Sequence, residues 1–245
     1  MLDKLKVAGV DDVAFSPDGR TLAVSPQRPD GTGAPLELWD LAKGTPTRAA
    51  VPGPGALDFR SDGRLLLAGV APQPIDPATG ARLPISEGLG RLNGTHAFSP
   101  DGRLVAFSGP DRMTLWDADL KAPVAAFPAA PGSAIEEIAW SPDGRTIATY
   151  EDGDRVRLWD VPSRLSLGLV FDGQKKIPLG NGSVAFSADG RTLYSAMPDG
   201  VVRTFPLDDG KVAAAVCRRA GRSLTEREWQ RYLPESDRFD PCVSR

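Results

Sequence analysis

The chain has 245 residues, of which 41% are hydrophobic and 25% charged, with a formal net charge of −3. This composition is typical of a globular protein and excludes the disordered, collagenous and membrane-spanning classes. The small negative charge gives little general attraction to phosphate backbones or anionic lipid, so we expect neither a nucleic acid nor a membrane as partner.

The N-terminal segment predicts a cytoplasmic protein. Residues 1–12, MLDKLKVAGVDD, lack the apolar stretch of a secretory signal. No window reaches the roughly 18 apolar residues that a membrane helix needs. The two cysteines, Cys217 and Cys242, are too few for a disulfide framework, so we expect the hydrophobic core to hold the fold together.

A short turn sequence recurs along the chain. The first copy is Ser16-Pro17-Asp18-Gly19-Arg20, and four more copies centre on Asp62, Asp101, Asp143 and Asp189. The aspartates are 44, 39, 42 and 46 residues apart, which indicates a repeat architecture. Proline sets φ for a type I turn, aspartate binds its own backbone, and glycine takes the left-handed conformation that follows. Each copy therefore predicts the tip of a β-hairpin.

Short apolar strands flank each turn. The strand before it reads DVAF, ALDF, HAF, EIAW or SVAF, and an apolar run also follows it. The predicted third strands are LELWD at 36–40, MTLWD at 113–117, VRLWD at 156–160 and the weaker VVRTF at 201–205. The second unit has only PQPIDPATG there, and fourth strands include PVAAF at 123–127 and SLGLVF at 166–171. Four antiparallel strands per unit predict an all-β fold, a β-propeller.

The phrase VAFSPDGRTLAV followed by LWD resembles the WD-repeat β-propeller family. The resemblance covers a propeller domain of about five blades at residues 1–207, with units at 8–52, 53–90, 91–130, 131–175 and 176–207. The Gly-His pair that commonly precedes the first strand of a WD repeat is absent from every unit. The buried Asp-His-Ser-Trp network of many members is therefore not assumed for this chain.

Five units leave two ways to complete the ring, because family members usually have seven blades. In the first, residues 5–7 of the segment 1–7 supply a closing strand for the fifth unit. In the second, the ring stays open, and the chain belongs to something larger or associates with another chain. An exposed sheet edge favours pairing, so the second solution predicts self-association.

Residues 208–245 predict a C-terminal helical extension. KVAAAVCRRAG suits a helix that ends at Gly221, and Thr225 and Glu228 form a capping box for a second helix, EREWQRYL. The string from Cys217 to Cys242 resembles the extension of bacterial WD-repeat proteins, many of which are sensor ends of signalling proteins. We expect the two cysteines to be reduced thiols, although a disulfide between them would fasten the tail.

Candidate catalytic residues are few. His96, the only histidine, occupies the position of Val13, Leu57, Ile138 and Val184 in the other units. We expect it near one mouth of the central channel, with a structural or a partner-contacting role. No nucleophile elbow accompanies it, and the repeated aspartates are explained as turn formers. The sequence predicts no catalytic residue, cofactor or metal site.

The least repetitive loops lie opposite the predicted turns and give the candidate binding face. Its residues are Arg28, Asp30, Arg91, Asn93, His96, Arg112, Asp152, Arg155, Lys175 and Lys176. The resulting hypothesis is a non-enzymatic scaffold or sensor module that binds a protein or peptide, as part of a bacterial signalling protein. The alternative is a propeller hydrolase or lyase acting on a small molecule or glycan, which needs convergent carboxylates or a metal in the channel.

Overall fold

The computed structural model describes residues 9–26, 28, 34–48, 55–64, 66–68, 71–85, 94–109, 112–128, 134–152, 154–171, 182–208 and 225–228. The described residues form eighteen β-strands in five separate antiparallel sheets that follow one another along the chain. The all-β class predicted from the sequence is confirmed.

Sheets 1, 3 and 4 have four strands each, and consecutive strands pair with one another. Sheet 1 contains β1 (Val10–Phe15), β2 (Thr21–Pro26), β3 (Glu37–Asp40) and β4 (Thr45–Arg48). Sheet 3 contains β8 (His96–Phe98), β9 (Leu104–Ser108), β10 (Arg112–Asp117) and β11 (Pro123–Pro128). Sheet 4 contains β12 (Ile135–Trp140), β13 (Thr146–Glu151), β14 (Arg155–Asp160) and β15 (Leu165–Phe171).

Sheets 2 and 5 have three strands each within the described residues. Sheet 2 contains β5 (Leu57–Phe59), β6 (Leu66–Ala68) and β7 (Gln73–Ile75). Sheet 5 contains β16 (Ser183–Phe186), β17 (Thr192–Ala196) and β18 (Val202–Pro206). After β7, an isolated bridge between Ile75 and Arg82 stands where the four-stranded sheets have their fourth strand. Pro74 on β7 has no N–H to donate to this pairing.

Each recurring turn forms a hairpin tip between the first two strands of its sheet. In sheet 1 the Ser16 hydroxyl donates to the Asp18 carboxylate at 2.6 Å and accepts from the N–H of Thr21 at 2.9 Å. Gly19 follows with φ of 67°, a conformation that favours glycine. Sheets 3, 4 and 5 repeat both bonds with Ser99, Ser141 and Ser187. The predicted turn chemistry is confirmed.

Apolar clusters pack each sheet against the next. The first joins Ala23 and Leu38 of sheet 1 to Leu57 and Phe59 of sheet 2, and three others lie between sheets 2 and 3, 3 and 4, and 4 and 5. Each large apolar side chain buried there contributes roughly 1.5–3 kcal/mol. The described residues form no such cluster between sheet 5 and sheet 1.

The first strand of each sheet lies at the inner edge of the array. These inner strands, β1, β5, β8, β12 and β16, contact one another in chain order. A radial series of sheets that meet at their first strands is the arrangement of a β-propeller. The sheets therefore lie side by side, with their hairpin tips on one side of the array.

Only Asp208 and residues 225–228 of the predicted extension are described. The N–H of Thr225 donates to Glu228 Oε2 at 2.9 Å, and the N–H of Glu228 donates to Thr225 Oγ1 at 3.4 Å. These bonds form the predicted capping box at the start of a helical turn over 226–228. The predicted helix at 211–221, both cysteines and the predicted closing strand at 5–7 lie outside the described residues. Across the described ranges, no helix has the length and apolar character to cross a membrane.

Candidate functional site

The loops between second and third strands lie opposite the hairpin tips, and we call this side the loop face. Of the residues predicted for partner binding, Arg28 and Arg112 lie there and are exposed. Asp152 and Arg155 lie there and are partly buried. The remaining loop residues of the prediction are outside the described ranges: Asp30, Arg91, Asn93, Lys175 and Lys176.

Asp152 and Arg155 are brought together by the loop between β13 and β14. Arg155 Nη2 donates to Asp152 Oδ1 at 2.8 Å, and its Nε donates to the Asp152 carbonyl at 3.1 Å. The same Nε lies 4.0 Å from Glu151 Oε2. Two predicted residues are thus an ion pair that fixes the loop. Arg28 and Arg112 are exposed on the same face.

A buried polar network supports this loop from below. Glu151 is fully buried, and its Oε1 accepts from Arg157 Nε at 2.8 Å and from Thr149 Oγ1 at 3.2 Å. Trp159 Nε1 donates to Thr149 Oγ1 at 3.0 Å, and the Arg157 guanidinium lies 5.6 Å from the centroid of the Trp159 ring. Every charged group of the network has a partner, as a buried charge requires. Sequence reasoning missed this network, although its residues alternate on adjacent strands.

Tyr150 adds a second tie to the same loop. Its hydroxyl donates to the Asp154 carboxylate, and Asp154 itself adopts a left-handed φ of 59°. Burial first, and then the hydrogen bond to Asp154, raises the pKa of Tyr150 above its ordinary value, so the hydroxyl remains a donor. A loop held in this way loses little conformational freedom on binding a partner.

Carboxylates on the inner strands link neighbouring sheets. Asp12 Oδ2 of sheet 1 accepts from the N–H of Leu57 in sheet 2 at 2.7 Å. Asp58 Oδ2 of sheet 2 accepts from the N–H of Phe98 in sheet 3. Sequence reasoning missed both roles, although Asp58 stands out because the other units have alanine at its position.

The next two interfaces carry equivalent bonds. Trp140 Nε1 of sheet 4 donates to the carbonyl of Ala97 in sheet 3 at 3.0 Å. The Ser183 hydroxyl of sheet 5 donates to Glu137 Oε1 of sheet 4 at 3.0 Å. All four interfaces between successive sheets therefore have a side-chain hydrogen bond at the inner strands.

These inner-strand carboxylates have raised pKa values. Burial is the largest cause for Asp12 and Glu137, and the two groups also repel each other. Burial, reinforced by the Asp12 charge, raises the pKa of Asp58 to about 7. The alternative hydrolase hypothesis needs such convergent carboxylates, yet each already accepts a bond from the next sheet. In the described ranges no three His, Cys, Asp or Glu side chains are placed to hold a metal ion.

His96 lies in the interior, at 4% exposure, rather than at the surface of the loop face. Its ring lies 5.9 Å from the ring of Phe107, and neither ring nitrogen has a hydrogen-bond partner of normal geometry. Burial lowers the pKa of His96 to about 4, and the backbone of Leu67 opposes this shift only weakly. The imidazole is therefore neutral near pH 7, and a docked partner does not reach it in this structure.

The hairpin-tip side carries a cleft that the sequence did not predict. It lies between sheets 1 and 2, has a volume of about 810 Å³, and is lined by residues that include Ser16, Asp18, Phe59, Asp62, Arg64 and Asp76. Hydrogen bonds from Ser16, Arg60 and Thr79 lower the pKa values of Asp18, Asp62 and Asp76, respectively. The cleft is thus bordered by ionised carboxylates that form the turns.

Comparison with protein families identifies one repeat. Residues 122–160 match the WD40 family, described as WD domain, G-beta repeat. This segment runs from the start of β11 in sheet 3 to the end of β14 in sheet 4. The WD-repeat resemblance of the sequence is therefore supported directly for this part of the chain.

Curated relatives match about half of the chain. The small ribosomal subunit protein RACK1z of Oryza sativa subsp. japonica is 32% identical over 128 residues, which are 49% of this chain and 36% of that protein. The small ribosomal subunit protein RACK1 of Trypanosoma brucei brucei is 34% identical over 115 residues, 45% of this chain and 35% of that protein. The matched segments span about a third of the length of these relatives.

The fold is also similar to that of a solved propeller. The crystal structure of the β-propeller domain of Cps50 (Swd1) from Myceliophteria thermophila matches with a TM-score of 0.60 at 20% sequence identity. The match covers 83% of this chain and 67% of that chain. At this identity the likeness concerns the fold, and the fold is that of a β-propeller.

Proposed function

We propose that this chain, which carries a WD40 repeat in a β-propeller fold, is a non-enzymatic scaffold that binds a protein or peptide through its loop face. The relatives support this role, because their names place them in the small ribosomal subunit, an assembly of many components. The chain spans only part of those proteins. The proposal therefore also needs support from the contacts of this chain's own residues.

The observation that carries the proposal is that the buried and half-buried carboxylates of the described sheets already make structural hydrogen bonds or ion pairs. The buried Glu151 is neutralised by Arg157, and Asp12, Asp58 and Glu137 join neighbouring sheets. A catalytic carboxylate must instead face substrate with its proton exchange unobstructed. These four carboxylates of the described sheets hold the frame together, and a frame held in this way favours recognition.

The loop face is the preferred binding side because it combines rigidity with exposed arginine. The loop between β13 and β14 is tied by Arg155 and Tyr150. Arg28 of the loop after β2 and Arg112 at the start of β10 are exposed on the same side. Arginine is enriched at protein interfaces and is prominent among residues that dominate binding energy. We therefore propose an acidic or polar protein surface as the partner.

We further propose that the module is the sensor part of a bacterial signalling protein in the cytoplasm. The string from Cys217 to Cys242 supports this, since it resembles the extension of bacterial WD-repeat proteins with such a role. On this view, catalysis belongs to a different module, and the propeller supplies recognition.

Charge reversal on one side of the array tests the binding face. The loop-face variant combines Arg28→Glu with Arg112→Glu, and the matched control combines Arg103→Glu with Arg145→Glu at exposed hairpin tips. Proteins retained by the immobilised chain from its native lysate are identified by quantitative mass spectrometry, and the dissociation constant of each is then measured. We expect the loop-face variant to lose at least tenfold in affinity, about 1.4 kcal/mol, and the control to retain it.

The control makes the outcome decisive. Equal affinity of the loop-face variant and the unmodified chain would reject the loop face. A loss confined to the hairpin-tip variant would transfer the site to the opposite side, where the cleft between sheets 1 and 2 lies. Thermal denaturation of both variants checks that neither substitution unfolds the array.

A further inference from the structure

Three of the four interfaces between the described sheets have a large aromatic side chain near the end of the third strand. Trp116 of sheet 3 and Trp159 of sheet 4 pack toward the preceding sheet, and Phe205 has this position in sheet 5. In sheet 2 the position belongs to Ile75, which is fully buried in the cluster shared with sheet 1. The smaller side chain fills less of this interface, and the cleft of about 810 Å³ lies at the same interface.

The hairpin tips beside the cleft are no farther apart than those of other sheets. A Cβ atom on Gly63 would lie 3.6 Å from Pro17 Cδ of the preceding tip, and a Cβ atom on Gly190 would lie 3.5 Å from Pro142 Cδ. The cleft is therefore a feature of the sheets next to the tips, and not of tips that have separated. Its volume falls within the range of roughly 300–1,000 Å³ that is typical of ligand pockets.

Apolar side chains contribute much of the cleft wall. Phe59 comes from β5, Pro17 from the tip of sheet 1, Pro77 and Ala78 from the turn after β7, and Leu83 from the segment after the isolated bridge. Pro17 and Ala78 are exposed, so the cleft opens to solvent and can admit a chain that continues on either side. Such a wall can cover an aliphatic side chain or the methylene stem of a long charged one.

Charged side chains border the same space. Asp18, Asp62 and Asp76 line the cleft, and Arg64 is the only cation among its described lining residues. Lowered pKa values keep the three carboxylates ionised near pH 7. The cleft thus has apolar walls and an excess of negative charge, which together favour a ligand that combines an apolar group with a cation.

Asp76 has the greatest capacity for an added cation. Its carboxylate accepts hydrogen bonds from the N–H of Ala78 and the hydroxyl of Thr79, both at 2.8 Å. In the part of the chain that the structure describes, no lysine or arginine forms an ion pair with it. At the same repeat position in sheet 1, Asp40 pairs with Lys43 Nζ at 2.9 Å. A cationic ligand would supply at Asp76 the partner that Lys43 supplies at Asp40.

We propose that the cleft between sheets 1 and 2 binds a short protein segment in which an arginine stands next to an apolar residue. The guanidinium pairs with Asp76, and the apolar residue packs against Phe59 and Leu83. Arginine fits better than lysine, because its planar fork matches a carboxylate and its stem can lie on the apolar wall. This site lies on the opposite side of the array from the loop face, so it does not depend on the proposed function.

A peptide array tests the class of ligand. Acetylated, amidated hexapeptides carry a fixed arginine, with every residue type in turn at the two neighbouring positions, and a second set carries citrulline, the neutral isostere of arginine. The full chain, biotinylated at its N-terminus, is applied to both sets. We expect arginine peptides with an apolar neighbour to retain at least tenfold more protein than their citrulline counterparts. Equal retention by the two sets would overturn the proposal.

Variants of the full chain locate the peptide. Asp76→Asn removes the charge, and Ala78→Arg adds a competing cation at an exposed position of the cleft. The control is Asp160→Asn, at the same repeat position in sheet 4 and outside the cleft. By fluorescence anisotropy of the best arginine peptide, we expect both cleft variants to lose at least tenfold in affinity and the control to retain it. Thermal denaturation checks folding, and Ala78→Arg decides the outcome if Asp76→Asn unfolds.

Two further measurements separate this site from other occupants and other sites. The loop-face variant, Arg28→Glu with Arg112→Glu, should bind the arginine peptide as well as the unmodified chain does. A loss in that variant, with both cleft variants unaffected, would place the peptide on the loop face and reject the proposal. Light scattering of the chain without peptide tests a second copy, since a dimer that Ala78→Arg dissociates would assign the cleft to self-association instead.

Discussion

The carboxylate of Asp12 in the first sheet accepts a hydrogen bond from the backbone N–H of Leu57 in the second, at an Oδ2···N distance of 2.7 Å. The other carboxylate oxygen accepts from the N–H of Val13 at 2.8 Å. One side chain thus orients the inner strand of its own sheet and holds the next. Bonds of this kind occur at each of the four sheet interfaces and restrict how successive sheets can slide.

Removal of this bond should loosen the first interface. Asp12→Ala leaves the buried N–H of Leu57 without its acceptor, so we expect the free energy of unfolding to fall by about 1–3 kcal/mol. Asp11→Ala is the control, because Asp11 is the exposed neighbour on the same strand. Urea denaturation of the two variants measures the difference. Equal stability of both variants would mean that water replaces the bond at no cost.

Asp58 should make stability fall as the pH rises. Its pKa is about 7 in the folded chain and 3.8 as its ordinary value, so the folded state holds the proton more tightly than the unfolded state. The resulting stabilisation is complete below about pH 4 and is lost as the pH rises through 7. Asp58→Asn removes this dependence, so its stability relative to the unmodified chain should increase by up to about 4 kcal/mol between pH 4 and pH 8.5.

The control for this pH dependence is Asp18→Asn. Hydrogen bonds from Ser16 and from the N–H of Arg20 lower the pKa of Asp18, so its contribution has the opposite sign and is lost as the pH falls. Denaturation curves at four or five pH values distinguish the two. If Asp58→Asn and the unmodified chain keep a constant difference across this range, the folded pKa of Asp58 is ordinary.

The hairpin tips could be predicted from the sequence because their chemistry is local. Ser16, Asp18 and Gly19 make their bonds within a few residues, and the same is true of each serine-containing copy. The third strands ending in Trp-Asp were also predicted correctly, since their pattern is strong. In the second unit, Arg60 replaces the serine and its Nε donates to Asp62 at 2.9 Å, which preserves the tip by other means.

The contents of the interfaces could not be predicted in the same way, because they depend on pairs distant in sequence. Trp116 and Trp159 occupy the same repeat position, yet only Trp159 Nε1 has a partner, the hydroxyl of Thr149. Phe107 stands at the position of Thr149 in sheet 3, and its ring packs edge-on against Trp116. The Asp152 to Arg155 pair likewise depends on Glu151 and the strands that bury it. Local patterns specify the frame, and tertiary contacts specify its polar groups.

His96 should make the chain less stable at acidic pH. Its pKa is about 4 in the folded chain and 6.5 as its ordinary value, because burial disfavours the charged ring. Between these two pH values the unfolded state binds a proton at His96 and the folded state does not. The free energy of unfolding therefore decreases as the pH falls from 6.5 to 4. This loss approaches about 3 kcal/mol.

The test replaces His96 with the leucine that the second unit carries at the same position, Leu57. His96→Leu also removes two buried ring nitrogens that have no hydrogen-bond partner of normal geometry. We expect its advantage over the unmodified chain to grow as the pH falls from 7.5 to 4.5, measured by urea denaturation. The difference between the two proteins cancels the titration of Asp58. An advantage independent of pH would mean that the pKa of His96 is the same in the folded and unfolded chains.

The buried network of sheet 4 should respond very differently to the loss of two neighbouring arginines. Arg157→Met removes the main partner of the fully buried Glu151 carboxylate, with which it makes bonds of 2.8 and 3.4 Å. An uncompensated buried charge costs about 3–5 kcal/mol, so we expect a large fall in the free energy of unfolding.

Arg155→Met is the matched control, because Arg155 lies farther from Glu151, at 4.0 Å, and bonds chiefly to the partly exposed Asp152. We expect that control to cost about 1 kcal/mol or less. Chemical denaturation of both variants, followed by Trp fluorescence, measures the two losses. Similar losses would show that Arg155 carries as much of the Glu151 charge as Arg157 does.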